Sequence, residues 1–392
     1  MSLAGRSLVA LGDLSTAEIL QILDVADGMA DAVGFDNSSK RTPAEPLDRI
    51  LAALFFEPST RTRLSFESAM LRLGGQVIGF ADPSGSSVSK GESLADTIRM
   101  AAGYSDIIVI RHPLAGSAKV AADYSSVPVI NAGDGPHEHP TQTLTDLFCI
   151  RRAQGRLDGL KVGLCGDLKY GRTVHSLAPM MARFGAEIVC IAPKELQMPE
   201  RWMGECQAIS GNRPAQVGSL EEAISGLDVL YMTRIQRERF DRPEDYERVK
   251  NVYILTPEIM KRGPEGMIVL HPLPRVNEIT PAVDADPRAL YFKQAAGGVP
   301  VRMALISLLL GMAEGSASRG SFGLRGHAAT CTSCASVEAA DPPKPAPKLV
   351  TGPRCANPKC ITTQEPLEPL FYDEPGALRC VYCEETSVQR TL

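Results

Sequence analysis

No uninterrupted apolar stretch of this chain approaches the ~20 residues that cross a bilayer. The best candidate, residues 301–312, is short and is broken by Arg302. Residues 1–12 lack the apolar core and cleavage site of a secretion signal. Positive charge is not in excess: 41 Lys and Arg stand against 46 Asp and Glu, a net charge of −5. That balance speaks against a general affinity for nucleic acid or an anionic membrane. No Gly-x-x-x-x-Gly-Lys-[Ser/Thr] or Gly-x-Gly-x-x-Gly pattern sits at a strand–helix junction, which weighs against a nucleotide or dinucleotide enzyme. There is no Ser or Cys elbow, and no carboxylate pair is placed for acid–base work. Cysteine is sparse in the first 315 residues, where only Cys149, Cys165, Cys190 and Cys206 occur, scattered; the other six lie between Cys331 and Cys383. In a reducing compartment such clustering suggests metal before disulfide. The expectation is a cytoplasmic protein with no membrane or nucleic-acid partner.

With 392 residues, two or three domains are expected. Ser15 and Glu18 form a capping-box pattern, and Ile19, Ile22, Leu23 and Ala26 continue it as an apolar helical stripe. After a polar, loop-like segment at 34–46, short β-rich runs alternate with helical ones at 50–56, 76–80, 93–104, 106–111, 115–125 and 128–132. A helix over 139–154 bridges to a second unit. There the rhythm resumes at 161–165, 171–184, 187–191, 219–227, 229–233, 252–256 and 267–270. An apolar helix from Val299 to about Ala313 closes it. This alternation implies two α/β units with parallel sheets covered by helices.

The stretch Phe55-Phe56-Glu57-Pro58-Ser59-Thr60-Arg61-Thr62-Arg63 joins a buried strand to a helix carrying Leu64, Phe66, Met70 and Leu73. A helix N-terminus offers free N–H groups and a positive dipole end. Three hydroxyls and two guanidinium groups there make a dense phosphate site. The plainer reading is a Ser-capped helix with two surface arginines. Further polar loops follow strands: Ser86 to Ser93 with Lys90, Arg111-His112-Pro113, His139-Pro140-Thr141-Gln142, Gly166-Asp167-Leu168-Lys169-Tyr170-Gly171-Arg172, Thr233-Arg234-Ile235-Gln236 and His271-Pro272-Leu273-Pro274-Arg275. Each alone reads as a cap or a solvated loop. Together they place cations and amides along one edge of two sheets, where α/β folds bind ligands.

These motifs, in this order, resemble the catalytic chain of the aspartate carbamoyltransferase family over the first 315 residues. S-T-R-T-R and H-P-x-Q are shared by all carbamoyltransferases. G-D-L-K-Y-G-R, T-R-x-Q and H-P-L-P-R resemble the aspartate branch, whereas ornithine enzymes typically carry a cysteine at the counterpart of His271 to Pro274. The resemblance implies a carbamoyl phosphate domain at 1–145, an aspartate domain at 146–296 and a C-terminal helix at 297–314 packing back. It implies that Ser59, Thr60, Arg61 and Thr62 bind phosphate. Arg111, His139 and Thr62 then face the carbonyl oxygen, and Gln142 with the backbone of Leu273 and Pro274 holds the carbamoyl amino group. Arg172 and Arg234, assisted by Gln236, grip the carboxylates of aspartate. Ser86 and Lys90 serve a neighbouring subunit's site in a homotrimer or an assembly of trimers, with Lys90 reaching phosphate and aspartate. Glu57 bridges Arg172 and Arg239 when the domains close. The implied reaction converts carbamoyl phosphate and L-aspartate to N-carbamoyl-L-aspartate and phosphate, in pyrimidine synthesis, with Arg61, Thr62, Lys90, Arg111 and His139 as the catalytic set and no catalytic cofactor.

Residues 315–350 have linker composition, rich in Gly, Ser, Ala and Pro. Beyond them, Cys355-x4-Cys360 and Cys380-x2-Cys383 are spaced for a four-cysteine structural zinc site, one per chain. A module of this size has too small a core to fold unaided, so metal would supply much of its stability. The 351–392 module resembles the zinc domain of the family's regulatory chain, while that chain's nucleotide-binding domain has no counterpart here. The expected fold is thus α/β, two parallel-sheet domains plus a zinc-ribbon-like β module. Cys331-x2-Cys334 lacks two partners and reads as free linker thiols. The module is acidic, which favours a protein partner, either another trimer or the chain's own catalytic unit. The alternatives are a carbamoyltransferase for another amino-acid acceptor, or a non-catalytic zinc-bearing assembly protein.

Overall fold

Ser15 opens the regular structure. Its hydroxyl accepts the Glu18 N–H at 3.2 Å, and Glu18 accepts the Ser15 N–H at 2.8 Å, the reciprocal box its spacing predicts. Helix α1 (Thr16–Ala32) then buries Ile19, Ile22, Leu23 and Ala26. The computed structural model describes residues 2–35, 47–235, 240, 242–312, 348–374 and 377–389. Most of the polar segment at 34–46 therefore lies outside the described residues.

The first sheet grows from β1 (Ile50–Phe55), α2 (Thr60–Arg72), β2 (Gln76–Phe80), α3 (Leu94–Ala102), β3 (Ile107–His112), α4 (Ser117–Tyr124) and β4 (Val129–Asp134). Its strands are parallel, in the order β2-β1-β3-β4. β1 is central and its continuous apolar run is buried, as a strand covered on both faces requires. On α2 the buried stripe is Thr62, Phe66, Ala69 and Met70. Leu64, grouped with that stripe from sequence, is half exposed. It lies two residues from Phe66, about 200° around the helix.

Helix α5 (Pro140–Gln154) crosses to the second unit: β5 (Lys161–Cys165), α6 (Arg172–Arg183), β6 (Glu187–Ile191), α7 (Glu200–Ser210), β7 (Ala215–Val217), α8 (Leu220–Ala223), β8 (Val229–Met232), α9 (Pro243–Val249), α10 (Pro257–Met260) and β9 (Ile268–Leu270). This sheet is also parallel, ordered β7-β6-β5-β8-β9. The run at 252–256 does not continue it. Only Leu255 makes a bridge, to Ile279, and its backbone bonds go to Glu278 and Thr280. Pro257 then opens α10, leaving no room for a longer strand.

Helix α11 (Tyr291–Leu309) packs back on α1, α2 and α5. It begins eight residues before the start expected at Val299, running through Gly297, Gly298 and Pro300. The two glycines look like a break, but they answer a packing need. A Cβ on Gly297 would lie 3.2 Å from the Phe148 ring, and one on Gly298 would lie 2.0 Å from the Arg302 guanidinium.

The C-terminal strands β10 (Leu349–Thr351), β11 (Leu370–Glu374), β12 (Ala377–Cys380) and β13 (Thr386–Gln389) form an antiparallel sheet. This module docks on the first unit of its own chain. The Ala115 N–H donates to the Lys359 carbonyl at 2.8 Å, and the Ile361 N–H donates to the Ala115 carbonyl at 2.9 Å. Glu365 accepts the Leu94 N–H at the start of α3 at 3.0 Å. Ile361, Phe371, Leu378 and Tyr382 share one apolar core with α3 and α4. Gly116, at φ +86°, admits Tyr382 where a Cβ would approach it to 2.6 Å. Cys331 and Cys334 lie outside the described residues. Among the described residues no helix is long and apolar enough to cross a membrane.

Candidate active site and metal centre

The motif loops converge on a cleft of about 250 Å³ beyond the carboxyl ends of both parallel sheets. On its first wall, Ser59 stands at the N-cap position of α2, but its side chain makes no cap hydrogen bond. The Ser-capped reading therefore fails, and the hydroxyl lines the cleft with Arg61 and Thr62. Arg63 turns away to pair with Glu67 at 3.3 Å, and Thr60 does not line the cleft. Burial, and then the neighbouring Arg111 charge, lower the pKa of Arg61. Two cations held this close, at a helix start, leave a strong local demand for an anion.

Gly133, at φ +117° near the end of β4, marks the centre. A Cβ there would lie 3.1 Å from Nη1 of Arg111, 3.4 Å from Nη2 of Arg172 and 3.4 Å from the His139 ring. The loop behind it is pinned by buried Asp134, which accepts from the Gly116 N–H at 2.8 Å, from Asn131 at 3.0 Å and from the Glu138 N–H at 3.0 Å. Burial, reinforced by the charges of Arg172, Arg111 and Arg302, holds the His139 pKa well below its ordinary value. Its imidazole is neutral at neutral pH and offers a single N–H. Glu57 reaches Arg111 at 3.0 Å, and Arg172 instead donates to the Gly135 carbonyl. Arg239, the other expected partner of Glu57, lies outside the described residues.

The opposite wall carries Arg172 and Thr173 at the start of α6, Arg234 after β8 and the loop His271 to Pro274 after β9. Buried His271 organises that loop. Its Nδ1 accepts the Leu273 N–H at 2.8 Å, and its Nε2 faces Glu278 at 2.7 Å. Leu273 sits at φ +55°. With its N–H spent on His271, and with Pro274 lacking one, these two residues can offer the cleft only carbonyl acceptors. Among the described residues, Arg61, Arg111, Arg172, Arg234 and Arg302 all line the cleft, and no Asp or Glu does. Gln236 lies outside the described residues. Ser86 lies between two short turns, Pro83–Gly85 and Ser87–Lys90, and Lys90 ends the second; neither lines this cleft.

In the C-terminal module, Cys355, Cys360, Cys380 and Cys383 are all buried, with their sulfurs within 4.8 Å of one another. The Cys355–Cys383 and Cys360–Cys380 separations are 3.6 and 3.8 Å. Four sulfurs at tetrahedral zinc distances stand about 3.8 Å apart. Hydrogen bonding with Cys380 and Cys383 favours the Cys360 thiolate, and hydrogen bonding with Cys360 and Cys380 disfavours that of Cys383. The donor set and its spacing fit a closed structural metal site.

Comparison with known proteins finds three matching segments. Residues 6–152 match the carbamoyl-P binding domain of aspartate/ornithine carbamoyltransferase, and residues 158–309 match its Asp/Orn binding domain. Residues 353–391 match the metal binding domain of the aspartate carbamoyltransferase regulatory chain. The aspartate carbamoyltransferase catalytic subunit of Thermococcus onnurineus is 51% identical over 315 residues, 80% of this chain and 100% of that protein. That of Methanosarcina barkeri is 51% identical over 314 residues, 80% of this chain and 100% of its own.

The chain belongs to the aspartate carbamoyltransferase family. Among solved structures, the catalytic subunit of M. jannaschii aspartate transcarbamoylase is 48% identical with a TM-score of 0.73, covering 79% of this chain and 99% of that one. Aspartate transcarbamoylase from Trypanosoma cruzi, in complex with N-(phosphonacetyl)-L-aspartic acid, is 40% identical, also with a TM-score of 0.73, covering 79% and 97%. The two-unit parallel α/β fold is thus the carbamoyltransferase fold, and the C-terminal module is a metal-binding domain carried on the same polypeptide.

Three buried residues of this carbamoyltransferase cleft escaped the motif reading. Arg302 lines it from α11, 4% exposed, stacked 4.9 Å from the centre of the Phe66 ring, with its Nε unbonded. Its signal was in view as the lone cation in an apolar run, a costly placement that favours function. Gln294 lines the cleft from α11 as well, and Asp146 lies behind Gln142 on α5. Neither stands in a motif, and both are brought in by tertiary packing.

Proposed function

We propose that the cleft transfers a carbamoyl group from carbamoyl phosphate to the α-amine of L-aspartate, giving N-carbamoyl-L-aspartate and phosphate, a step of pyrimidine biosynthesis. The observation that carries this is the convergence of Arg111, His139 and Arg172 on Gly133, between the anion-binding start of α2 and the arginines of the aspartate wall.

Ser59, Arg61, Thr62 and the free N–H groups at the start of α2 hold the phosphate. The carbonyl oxygen lies against Arg111, Thr62 and the neutral N–H of His139. Gln142 and the carbonyls of Leu273 and Pro274 accept from the carbamoyl amino group. Arg172 and Arg234, with Gln236, take the two carboxylates of aspartate, for which guanidinium forks are suited. The amine lone pair attacks the carbonyl carbon, and the π electrons move to oxygen, where Arg111 and His139 stabilise them; each such donor is worth about 10²–10³ in kcat. Collapse breaks the bond from carbon to the bridging oxygen of phosphate, and the departing phosphate takes the ammonium proton. Positioning of two small anions provides much of the remaining acceleration. Ser86 and Lys90 complete the cleft of an adjacent copy in a trimer, which accounts for their place outside the chain's own cleft. The four cysteines hold one zinc ion, whose role is structural. The protein works in the cytoplasm.

N-(phosphonacetyl)-L-aspartic acid carries both anionic ends and tests the reading. Calorimetric titration should show Arg61→Ala and Arg172→Ala each weakening its binding by about 10²-fold, the scale of a lost charged contact at a buried site. Binding unchanged in Arg172→Ala would overturn the assignment of the aspartate wall.

A further inference from the structure

Asp146 touches none of the reacting groups assigned above, yet three polar side chains from three elements meet on its buried carboxyl group. The amide of Gln142, one turn earlier on α5, donates from Nε2 to Oδ1 at 2.7 Å. Gln294 on α11 donates from Nε2 to Oδ1 at 2.6 Å. The Tyr231 hydroxyl on β8 donates to Oδ2 at 2.9 Å. Asp146 is wholly buried, and so is Tyr231.

The chemistry of an ionised carboxylate fixes what these partners can do. It only accepts, so both amides must turn their NH2 groups inward to it. Each amide then turns its oxygen away from Asp146 and keeps one further N–H on the inward side. For Gln294 that oxygen is used, accepting the His271 N–H at 2.9 Å. Gln142 lines the cleft, so the end it has to offer there is Oε1, an acceptor. An unheld glutamine could present either end, and the two ends prefer opposite ligands. Burial pushes the Asp146 carboxyl up to about 7, against the pull of Gln294, Gln142, Tyr231 and the Arg302 charge. Above that pH all three donors are engaged.

We propose that Asp146 is a positioning residue that fixes the polarity of Gln142, so that the cleft selects an acyl phosphate whose carbonyl carries an NH2 group over one carrying a methyl group. The same carboxylate, through Gln294, ties the His271 loop to this arrangement, so the three acceptors around the amino group are set by one buried charge. The inference rests on the proposed placement of the carbamoyl amino group at Gln142.

The test compares carbamoyl phosphate with acetyl phosphate, which matches it in shape and replaces NH2 by CH3. KM for the first and the inhibition constant of the second are measured at about pH 8, where the carboxylate is charged, in the intact chain and in Asp146→Asn and Gln142→Ala. The side-chain amide introduced by Asp146→Asn can donate to the Gln142 oxygen and let that glutamine turn. The expected result for Asp146→Asn is a preference for carbamoyl over acetyl phosphate reduced about tenfold, the worth of one hydrogen bond, with KM for aspartate unchanged. A fall in affinity for both donors alike would overturn the proposal and leave Asp146 a purely structural residue. If Gln142→Ala keeps the full preference, the placement of the amino group at Gln142 is itself wrong. If Gln142→Ala loses the preference and Asp146→Asn keeps it, only the positioning proposal falls. Should Asp146→Asn fail to fold, Asp146→Leu, similar in shape and with no charge to bury, gives the same readout.

Discussion

At the scale of single residues, the cleft keeps polar groups away from the structural partners they would ordinarily take. Ser59 is the clearest case. A serine at an N-cap is worth about 1 kcal/mol when its hydroxyl caps the helix, but here it makes no such bond. Ser59→Ala should therefore change the unfolding free energy by less than about 0.5 kcal/mol, as at sites without structural contacts. It should also raise the KM for carbamoyl phosphate severalfold. A urea melt beside a kinetic titration separates these effects, and a loss of about 1 kcal/mol with unchanged KM would restore the capping role. Arg302 makes the same point with a charge. It is fully buried, burial lowers its pKa to about 10, and Asp146 offsets this only in part. Burying a charge without a full set of partners costs free energy that an apolar side chain does not incur. Arg302→Met should thus raise the melting temperature of the free protein while weakening phosphate binding. A lower melting temperature would show the guanidinium to be structural. The sequence displayed Ser59 and Arg302 equally, but only the first stood in a recognisable pattern. A lone arginine in an apolar helix carries the signal of its cost and not of its partners.

At the scale of elements, legibility followed burial pattern. β5 and β6 could be read at their true limits because both are continuous apolar runs buried in a parallel sheet. β7 was missed, being three residues long, largely exposed and at an edge. The start of α11 was placed late because Gly297-Gly298 reads as a break until Phe148 and Arg302 are packed against it. The cysteine pairs were legible from spacing alone, and the structure adds what they hold up. The backbone exchange of Ala115 with Lys359 and Ile361, and the Glu365 contact to the start of α3, come from residues on either side of Cys360. Structural zinc contributes about 10–16 kcal/mol in small metal domains, far more than this module's small core. Metal analysis should find one zinc per chain, and two would implicate further ligands. Removal by a chelator should speed amide exchange at Leu94, Ala115 and Ile361 and leave β5 and β6 protected. Unchanged exchange at those amides would mean that the module stays docked without metal.

At the scale of the whole molecule, two parallel sheets place their carboxyl ends around one cationic cleft. α5 and α11 join the units, and the metal-binding module covers the α3–α4 side of the first. The order of motifs made the two-unit plan readable. The docking of the module was readable only as one of two partners, because its backbone bonds, the Glu365 contact to Leu94 and the apolar core shared with α3 and α4 leave no spacing pattern that names the surface they meet. The central claim is that this cleft carbamoylates aspartate. The most direct measurement is product formation from carbamoyl phosphate with L-aspartate and with L-ornithine, run side by side on the full chain. The account predicts N-carbamoyl-L-aspartate and phosphate in equal amounts, no citrulline, and loss of at least about 10²-fold in rate in His139→Ala. Turnover of ornithine in preference to aspartate, or of neither, would contradict it.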